Sequence, residues 1–249
     1  MSLGQHLLEL RKRLFLAAIA VVLVSVAGFF LSDYVIDALR VPIEQIGKER
    51  DAKIVYDTVG GSFDIKITIA FTIGIVGSSP IWLYQIFAFL VPGLNRREKR
   101  YTFGFLFSAI PLFIAGAATG WYLFPHMVEL LGSFAAPEDA TFLPVRTYYD
   151  FVIKLVLAVG VAYVLPVFLV LLNFAGVLTA KSIIKSWRIA VLAIVVFAAI
   201  ATPAADINSM FLLAVPMVVL YLLSAGISWI HDRAIAKRVD AIDAELATS

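Results

Sequence analysis

Cysteine is absent from the 249-residue chain, and charged residues make up only 15% of it. The missing thiols exclude cysteine nucleophiles, thiolate metal sites and disulfide bonds. No HExxH, GxSxG or P-loop pattern occurs, so zinc-peptidase, serine-hydrolase and ATP-driven chemistry lack their motifs. A net charge of only +2 gives no basic field for nucleic acid. We therefore expect neither enzymatic activity nor a bound metal or cofactor.

Hydrophobic residues, in contrast, account for 61% of the chain. Soluble domains are about half apolar and about a quarter charged, and a fold of this size could not bury the excess from water. A membrane-spanning helix needs roughly 20 apolar residues. An all-α polytopic membrane protein is therefore predicted, with six candidate spans at about 14–31, 67–91, 101–124, 151–178, 189–201 and 210–230. The short fifth span requires either local thinning of the bilayer or shelter by neighbouring helices.

Proline lies inside four of these spans, at Pro80, Pro111, Pro166 and Pro216. Each proline removes a backbone donor and predicts a kink in its helix. Kinked helices leave grooves between them, so we expect a concave bundle rather than a tight cylinder. Outside the spans, residues 32–66 have room for a short helix, and residues 126–134 for an interfacial one.

The basic residues of the loops are distributed unequally between the two sides of the membrane. One side carries 13 of them and the other side six, and the richer side is predicted to be cytoplasmic. It comprises residues 1–13, 92–100, 179–188 and 231–249. Both termini are therefore expected in the cytoplasm, on a single membrane domain covering residues 1–249. Residues 1–13 form an amphipathic helix in this prediction, and residues 231–249 form a partly helical tail.

The interiors of the spans offer little for transport chemistry. Their one formal charge is Lys154, near a span end. Ion-coupled carriers usually keep ionisable groups near the midplane, which disfavours the alternative of a small-solute carrier or channel. Ser78 and Ser79 could serve an intramembrane hydrolase, but no histidine lies at that depth to activate a serine.

The first three cytoplasmic segments contain ten basic residues and two acids, Glu9 and Glu98. Two interpretations of these acids remain open at this point. In one, Glu9 pairs with Arg13 one helical turn away, which contributes a few tenths of a kcal/mol, and Glu98 relieves repulsion among its neighbouring cations. In the other, the two carboxylates receive a cationic ligand at the membrane surface.

The same residues belong to a series of short motifs along nearly the whole chain. In order, these are His6-Leu-Leu-Glu-Leu-Arg-Lys-Arg13, Val41-Pro42, Pro80-Ile-Trp-Leu-Tyr-Gln-Ile-Phe-Ala-Phe89, Pro92-Gly-Leu94, Glu98-Lys-Arg100, Phe124-Pro125, Thr202-Pro203 with Asp206, and Ala214-Val-Pro-Met217. Each motif is weak alone, but their order, spacing and topology resemble the TatC family, the multi-span receptor subunit of the twin-arginine protein translocase.

The resemblance implies a multi-pass protein of the prokaryotic plasma membrane that binds signal peptides with consecutive arginines. With TatA-type and TatB-type single-span subunits, in a homo- or hetero-oligomer, it would pass folded proteins across the membrane using the proton-motive force. Glu9 and Glu98 match the two glutamates of the family's receptor surface, and Phe89 matches a position near them. Pro42 and Asp206 match outer-loop positions tied to function.

The chain departs from the family pattern inside two spans. Many relatives carry acids at the positions that Val164 and Leu222 occupy here. The resemblance therefore does not supply an intramembrane acid as a proton relay or a dock for a partner. Partner helices are expected to dock through Tyr221, Ser224 or the helix kinks instead.

Overall fold

The computed structural model of the protein describes residues 3–50, 53–55, 60–90, 96–133, 142–202 and 207–248. Within these ranges the chain forms eight helices and two very short strands. In chain order they are α1 (Leu3–Arg50), β1 (Lys53–Val55), α2 (Gly61–Gly77), α3 (Ser79–Leu90), α4 (Arg96–Ser133), β2 (Phe142–Pro144), α5 (Val145–Phe174), α6 (Ala180–Lys185), α7 (Trp187–Ala201) and α8 (Ile207–Thr248).

The long apolar helices confirm the predicted all-α multi-pass membrane fold. In the described part of the chain, α1, α4, α5 and α8 are each long and apolar enough to cross a membrane, and α2 with α3 adds a fifth candidate when the bent pair is counted as one span. Helix α7 is apolar but has only 15 residues. At 1.5 Å per residue it is about 22 Å long, less than the hydrocarbon thickness of about 30 Å. A count of six spans and the orientation of the termini stay predictions.

Several helices run well beyond the apolar stretches that predicted them. Helix α1 continues from the N-terminal segment through the first span to Arg50, so the predicted outer helix is the end of α1. Helix α4 continues through Pro125 to Ser133, and the predicted interfacial helix is therefore part of α4. The apolar stretch marks the part of a helix that lies in lipid, whereas Arg, Lys and Glu extend helices readily into water.

The four prolines have different consequences for their spans. Helices α4, α5 and α8 continue through Pro111, Pro166 and Pro216 as single helices. At Pro80 the span is instead divided into α2 and α3, which meet at 57°.

Small residues bring the central helices close together. A Cβ atom at Gly116 of α4 would lie 2.7 Å from the carbonyl oxygen of Val159 in α5. A Cβ atom at Gly74 of α2 would lie 2.9 Å from the carbonyl oxygen of Val21 in α1. Only glycine permits such approaches, which membrane helix pairs often use. The predicted grooves also occur, and one of about 810 Å³ lies between α4, α5 and α8 with Pro166 on its wall.

Backbone and side-chain contacts connect the helices at their predicted outer ends. Strands β1 and β2 pair in parallel, and the Tyr148 hydroxyl donates a 2.8 Å hydrogen bond to the Leu39 carbonyl. Arg146 of α5 forms a 2.7 Å ion pair with Asp64 of α2. These contacts hold the extension of α1 and the start of α2 against α5.

Candidate functional site

Glu9 and Arg13 form an ion pair near the N-terminus of α1. Arg13 donates from Nη2 at 2.7 Å and from Nε at 3.1 Å, and both bonds end on Oε1 of Glu9. The side chains of Arg13 and Glu9 are 24% and 26% exposed. Among the described residues, Oε2 of Glu9 has no hydrogen-bond partner. The carboxylate is thus mostly covered and already binds one guanidinium.

Arg13 also links α1 to α3. Its Nη1 donates to Oε1 of Gln85 at 3.3 Å, across a sequence separation of 72 residues. One turn further along α3, the ring of Phe89 stacks on the imidazole of His6, with the ring centroids 4.5 Å apart. The first turns of α1 and the last turns of α3 therefore share one surface, which we call the α1–α3 surface: His6, Glu9, Arg13, Gln85 and Phe89.

The α1–α3 surface contains two of the predicted site residues, Glu9 and Phe89, and three that were not predicted as site residues. The three are His6, Arg13 and Gln85, and the sequence contains a signal for each. His6 and Arg13 fall on the same stripe of α1 as Glu9, and Gln85 precedes Phe89 by one turn of α3. Their pairing across two helices depends on tertiary structure, which spacing alone does not provide.

The other predicted residues lie in less completely described parts of the chain. Glu98 is in the first turn of α4, where the helix dipole favours an acid. Pro42 lies within α1. The side chains of Glu98 and Pro42, and all of Asp206, lie outside what the structure describes. The convergence of Glu98 with Glu9 and the roles of Pro42 and Asp206 stay predictions.

The chemistry of the α1–α3 surface suits binding. A carboxylate accepts hydrogen bonds from guanidinium or ammonium groups, and stacked rings offer an apolar and cation-binding face. No group of three or more His, Cys, Asp or Glu side chains in the described ranges could hold a metal ion.

The fold and the surface define a helical multi-pass membrane protein with a polar, aromatic surface at the ends of two helices. The family model described as Sec-independent protein translocase protein (TatC) matches residues 5–216. The chain belongs to the TatC family, as its motifs predicted.

Individual relatives agree with the family match. The chain is 39% identical to the Sec-independent protein translocase protein TatC of Xylanimonas cellulosilytica, over 96% of this chain and 87% of that protein. It is 37% identical to the protein of the same name from Rothia mucilaginosa, over 94% of this chain and 80% of that protein.

A solved structure agrees as well. The crystal structure of the twin-arginine translocase receptor TatC superposes with a TM-score of 0.75 at 31% identity, covering 90% of this chain and 99% of that one. The protein is therefore a component of a protein-transport system and a multi-pass protein of the bacterial plasma membrane.

Proposed function

We propose that this protein is the receptor subunit of the twin-arginine translocase, binding signal peptides with consecutive arginines at the α1–α3 surface. The observation that carries the proposal is the Glu9 carboxylate, which already holds one guanidinium, that of Arg13, through Oε1. Membership in the TatC family disfavours the alternative of a small-solute carrier or channel.

Arginine is required in the signal because of the shape of its head group. Guanidinium is a planar fork that meets a carboxylate through two N–H groups, whereas the lysine ammonium is a point charge. An incoming arginine pairs with Oε2 of Glu9 or displaces Arg13 toward Gln85. Phe89 and His6 lie one turn away and offer a face for the neighbouring apolar residues of the signal.

A second arginine needs a second carboxylate, and Glu98 supplies it in this proposal. Helix α3 ends at Leu90 and α4 begins at Arg96. The connecting chain can extend no more than about 20 Å, which keeps Glu98 on the same side of the membrane as Phe89. The excess of basic residues on that side supports a cytoplasmic location for both termini, with α7 crossing as the sixth span.

Two ion pairs alone do not account for tight binding. Hydrogen bonds to charged groups contribute about 1.5–3 kcal/mol each, and exposed pairs about 0–1 kcal/mol. Micromolar affinity corresponds to roughly 8 kcal/mol. The apolar stretch of the signal must add the remainder, at about 0.8 kcal/mol per buried CH₂ group. The groove between α4, α5 and α8 begins at Gly104, less than two turns beyond Glu98, and could receive that stretch.

The remaining parts of the proposal rest on family membership. The receptor would act in an oligomer with single-span subunits of the TatA and TatB types and would export folded cargo using the proton-motive force. Pro42 and Asp206 would act on the outer side, away from signal contact.

Photo-crosslinking of a twin-arginine signal peptide tests the site. We expect Glu98→Ala to abolish crosslinking and Glu9→Ala to weaken it, because each removes a guanidinium acceptor. Glu129→Ala, at an exposed position of α4, is the matched control and should leave crosslinking unchanged. Unchanged crosslinking in both site variants, at normal protein levels, would contradict the assigned roles.

A signal with Lys-Lys in place of Arg-Arg should also lose binding, and equal binding would contradict the requirement for a planar fork.

A further inference from the structure

The break between α2 and α3 lies inside the predicted second span, residues 67–91. Helix α2 ends at Gly77, α3 begins at Ser79, and the two axes differ by 57°. The last carbonyl groups of a helix have no intrahelical partner, and Pro80 brings no N–H to the break. Because hydrocarbon offers no water, each carbonyl released by the bend needs a donor from the protein.

Trp82 supplies such a donor. Its indole Nε1 donates a 2.8 Å hydrogen bond to the carbonyl of Ile75, reaching from the first turn of α3 back to the last turn of α2. Ser78 and Ser79 are 1% and 0% exposed, but their hydroxyls have no partner among the described residues. The side-chain hydrogen bond across the bend is therefore made by the indole and not by the serine hydroxyls.

The Trp82 ring is itself held by α4. Its edge-to-face contact with Phe113 has a centroid distance of 5.2 Å and an interplanar angle of 88°. Phe113 is fully buried, so it gives the indole a fixed wall. One side chain thus connects α2, α3 and α4 at the bend.

The angle of this bend determines where the α1–α3 surface forms. Phe89 lies ten residues beyond the start of α3, which is about 15 Å of helix. A change of 10° in the bend would move Phe89 by about 3 Å. The 4.5 Å stacking on His6 and the 3.3 Å bond between Arg13 and Gln85 would not survive such a displacement unchanged.

We propose that Trp82 is a positioning residue of the α1–α3 surface. Its indole N–H fixes the α2–α3 bend and so holds Gln85 and Phe89 against α1. This inference rests on the proposed signal-peptide function. It is independent of the glutamates, because Trp82 touches neither the ion pair nor the aromatic stack.

The test combines a distance across the bend with peptide affinity. The chain has no cysteine, so Ile67→Cys on α2 and Ile86→Cys on α3 accept spin labels at two unique, exposed positions. In this background, Trp82→Phe keeps a ring against Phe113 but removes the N–H. Trp82→His restores an N–H at the equivalent ring atom. Trp121→Phe, an exposed tryptophan of α4, is the matched control.

We expect Trp82→Phe to shift or broaden the label distance by about 2 Å, because Ile86 lies about 10 Å of helix beyond the start of α3. Affinity for a twin-arginine signal peptide should fall about fivefold, the effect of one lost hydrogen bond. Trp82→His should recover both quantities, and Trp121→Phe should change neither. An unchanged label distance, or an altered distance with unchanged affinity, would overturn the positioning role.

If Trp82→Phe does not accumulate, benzothienylalanine incorporated at position 82 removes the N–H and keeps the shape of the indole, and the same outcomes apply. Failure of the unsubstituted chain to bind the peptide would overturn the proposed function instead. In that case the label distance alone would still decide whether the indole fixes the bend.

Discussion

Two acids at the predicted cytoplasmic ends of the helices, Glu9 on α1 and Asp232 on α8, have similar exposure and opposite surroundings. Their side chains are 26% and 35% exposed. In the described part of the chain, the hydrogen bonds to Glu9 all come from the side chain of Arg13 and end on one oxygen. Asp232 uses both oxygens, accepting from Nδ2 of Asn173 at 2.8 Å and from the backbone N–H of Ala180 at 2.7 Å. The two acids therefore differ in their partners rather than in their exposure, and this difference matches the binding role proposed for Glu9 and a structural role for Asp232.

The surroundings of Asp232 form a closed junction between α5, α6 and α8. The second N–H of Asn173 is donated to the Leu178 carbonyl at 2.9 Å. Gly176 has a φ of 72° in the connecting turn, a left-handed conformation that favours glycine. The Tyr221 hydroxyl of α8 donates a 2.6 Å bond to the carbonyl of Ile183 in α6. A ligand at Asp232 would compete with the Asn173 side chain and the Ala180 backbone N–H together, whereas at Glu9 it competes with the Arg13 side chain.

Of the two acids compared, Glu9 is expected to have the larger effect on function. Glu9→Gln keeps the shape of the side chain and removes its charge, so affinity for a twin-arginine signal peptide should fall about tenfold to a hundredfold, corresponding to about 1.5–3 kcal/mol. The unfolding temperature in detergent should barely change, since partly exposed ion pairs contribute little. Fluorescence anisotropy of a labelled peptide measures the affinity, with Glu129→Gln as the control. Normal affinity in Glu9→Gln would contradict the proposal that Glu9 binds the signal peptide.

At Asp232, a substitution is expected to lower stability and to leave signal-peptide affinity nearly unchanged. Asp232→Ala leaves Asn173 and the Ala180 N–H without their acceptor, which should cost about 1.5–3 kcal/mol of stability. Thermal unfolding in detergent measures this loss, and Asp240→Ala, an exposed acid on the same helix, should show none. The folded fraction should bind the signal peptide within about twofold of the unsubstituted chain, a difference of less than 1 kcal/mol. A specific loss of binding would show that the junction also serves recognition.

The membrane helices were predictable from the sequence because lipid restricts the structures that a chain can form. Apolar length predicts membrane helices because each backbone group in hydrocarbon must be bonded within the protein. It does not predict helix ends in water, which is why α1 and α8 extend so far beyond their spans. The sequence pattern also gives Pro80, Pro111 and Pro166 the same predicted kink. Of these three prolines, Pro80 alone has a helix break beside it. The side chain that bridges the break, Trp82, packs against another helix.

The site was predictable to the extent that its residues belong to motifs. Glu9 and Phe89 were identified through the family resemblance, and the pairing of Glu9 with Arg13 through helical spacing. The contacts of His6 with Phe89 and of Arg13 with Gln85 join helices that are far apart in sequence. They exist because α3 leaves the bend at one particular angle, which no local pattern specifies.

The smallest expected effect tests whether Arg13 competes with the ligand. Arg13→Gln removes the cation that occupies Oε1 of Glu9, so signal-peptide affinity should rise by about twofold to fivefold, the equivalent of an exposed pair worth up to about 1 kcal/mol. Arg11→Gln removes the same charge from an exposed position on another face of α1, and it corrects for the general repulsion of a cationic peptide. A fall in affinity specific to Arg13→Gln would mean that Arg13 holds Glu9 in place. Glu9 would then resemble Asp232, an acid fixed by its own partners, and the incoming arginine would have to bind to the preformed pair rather than replace one member of it.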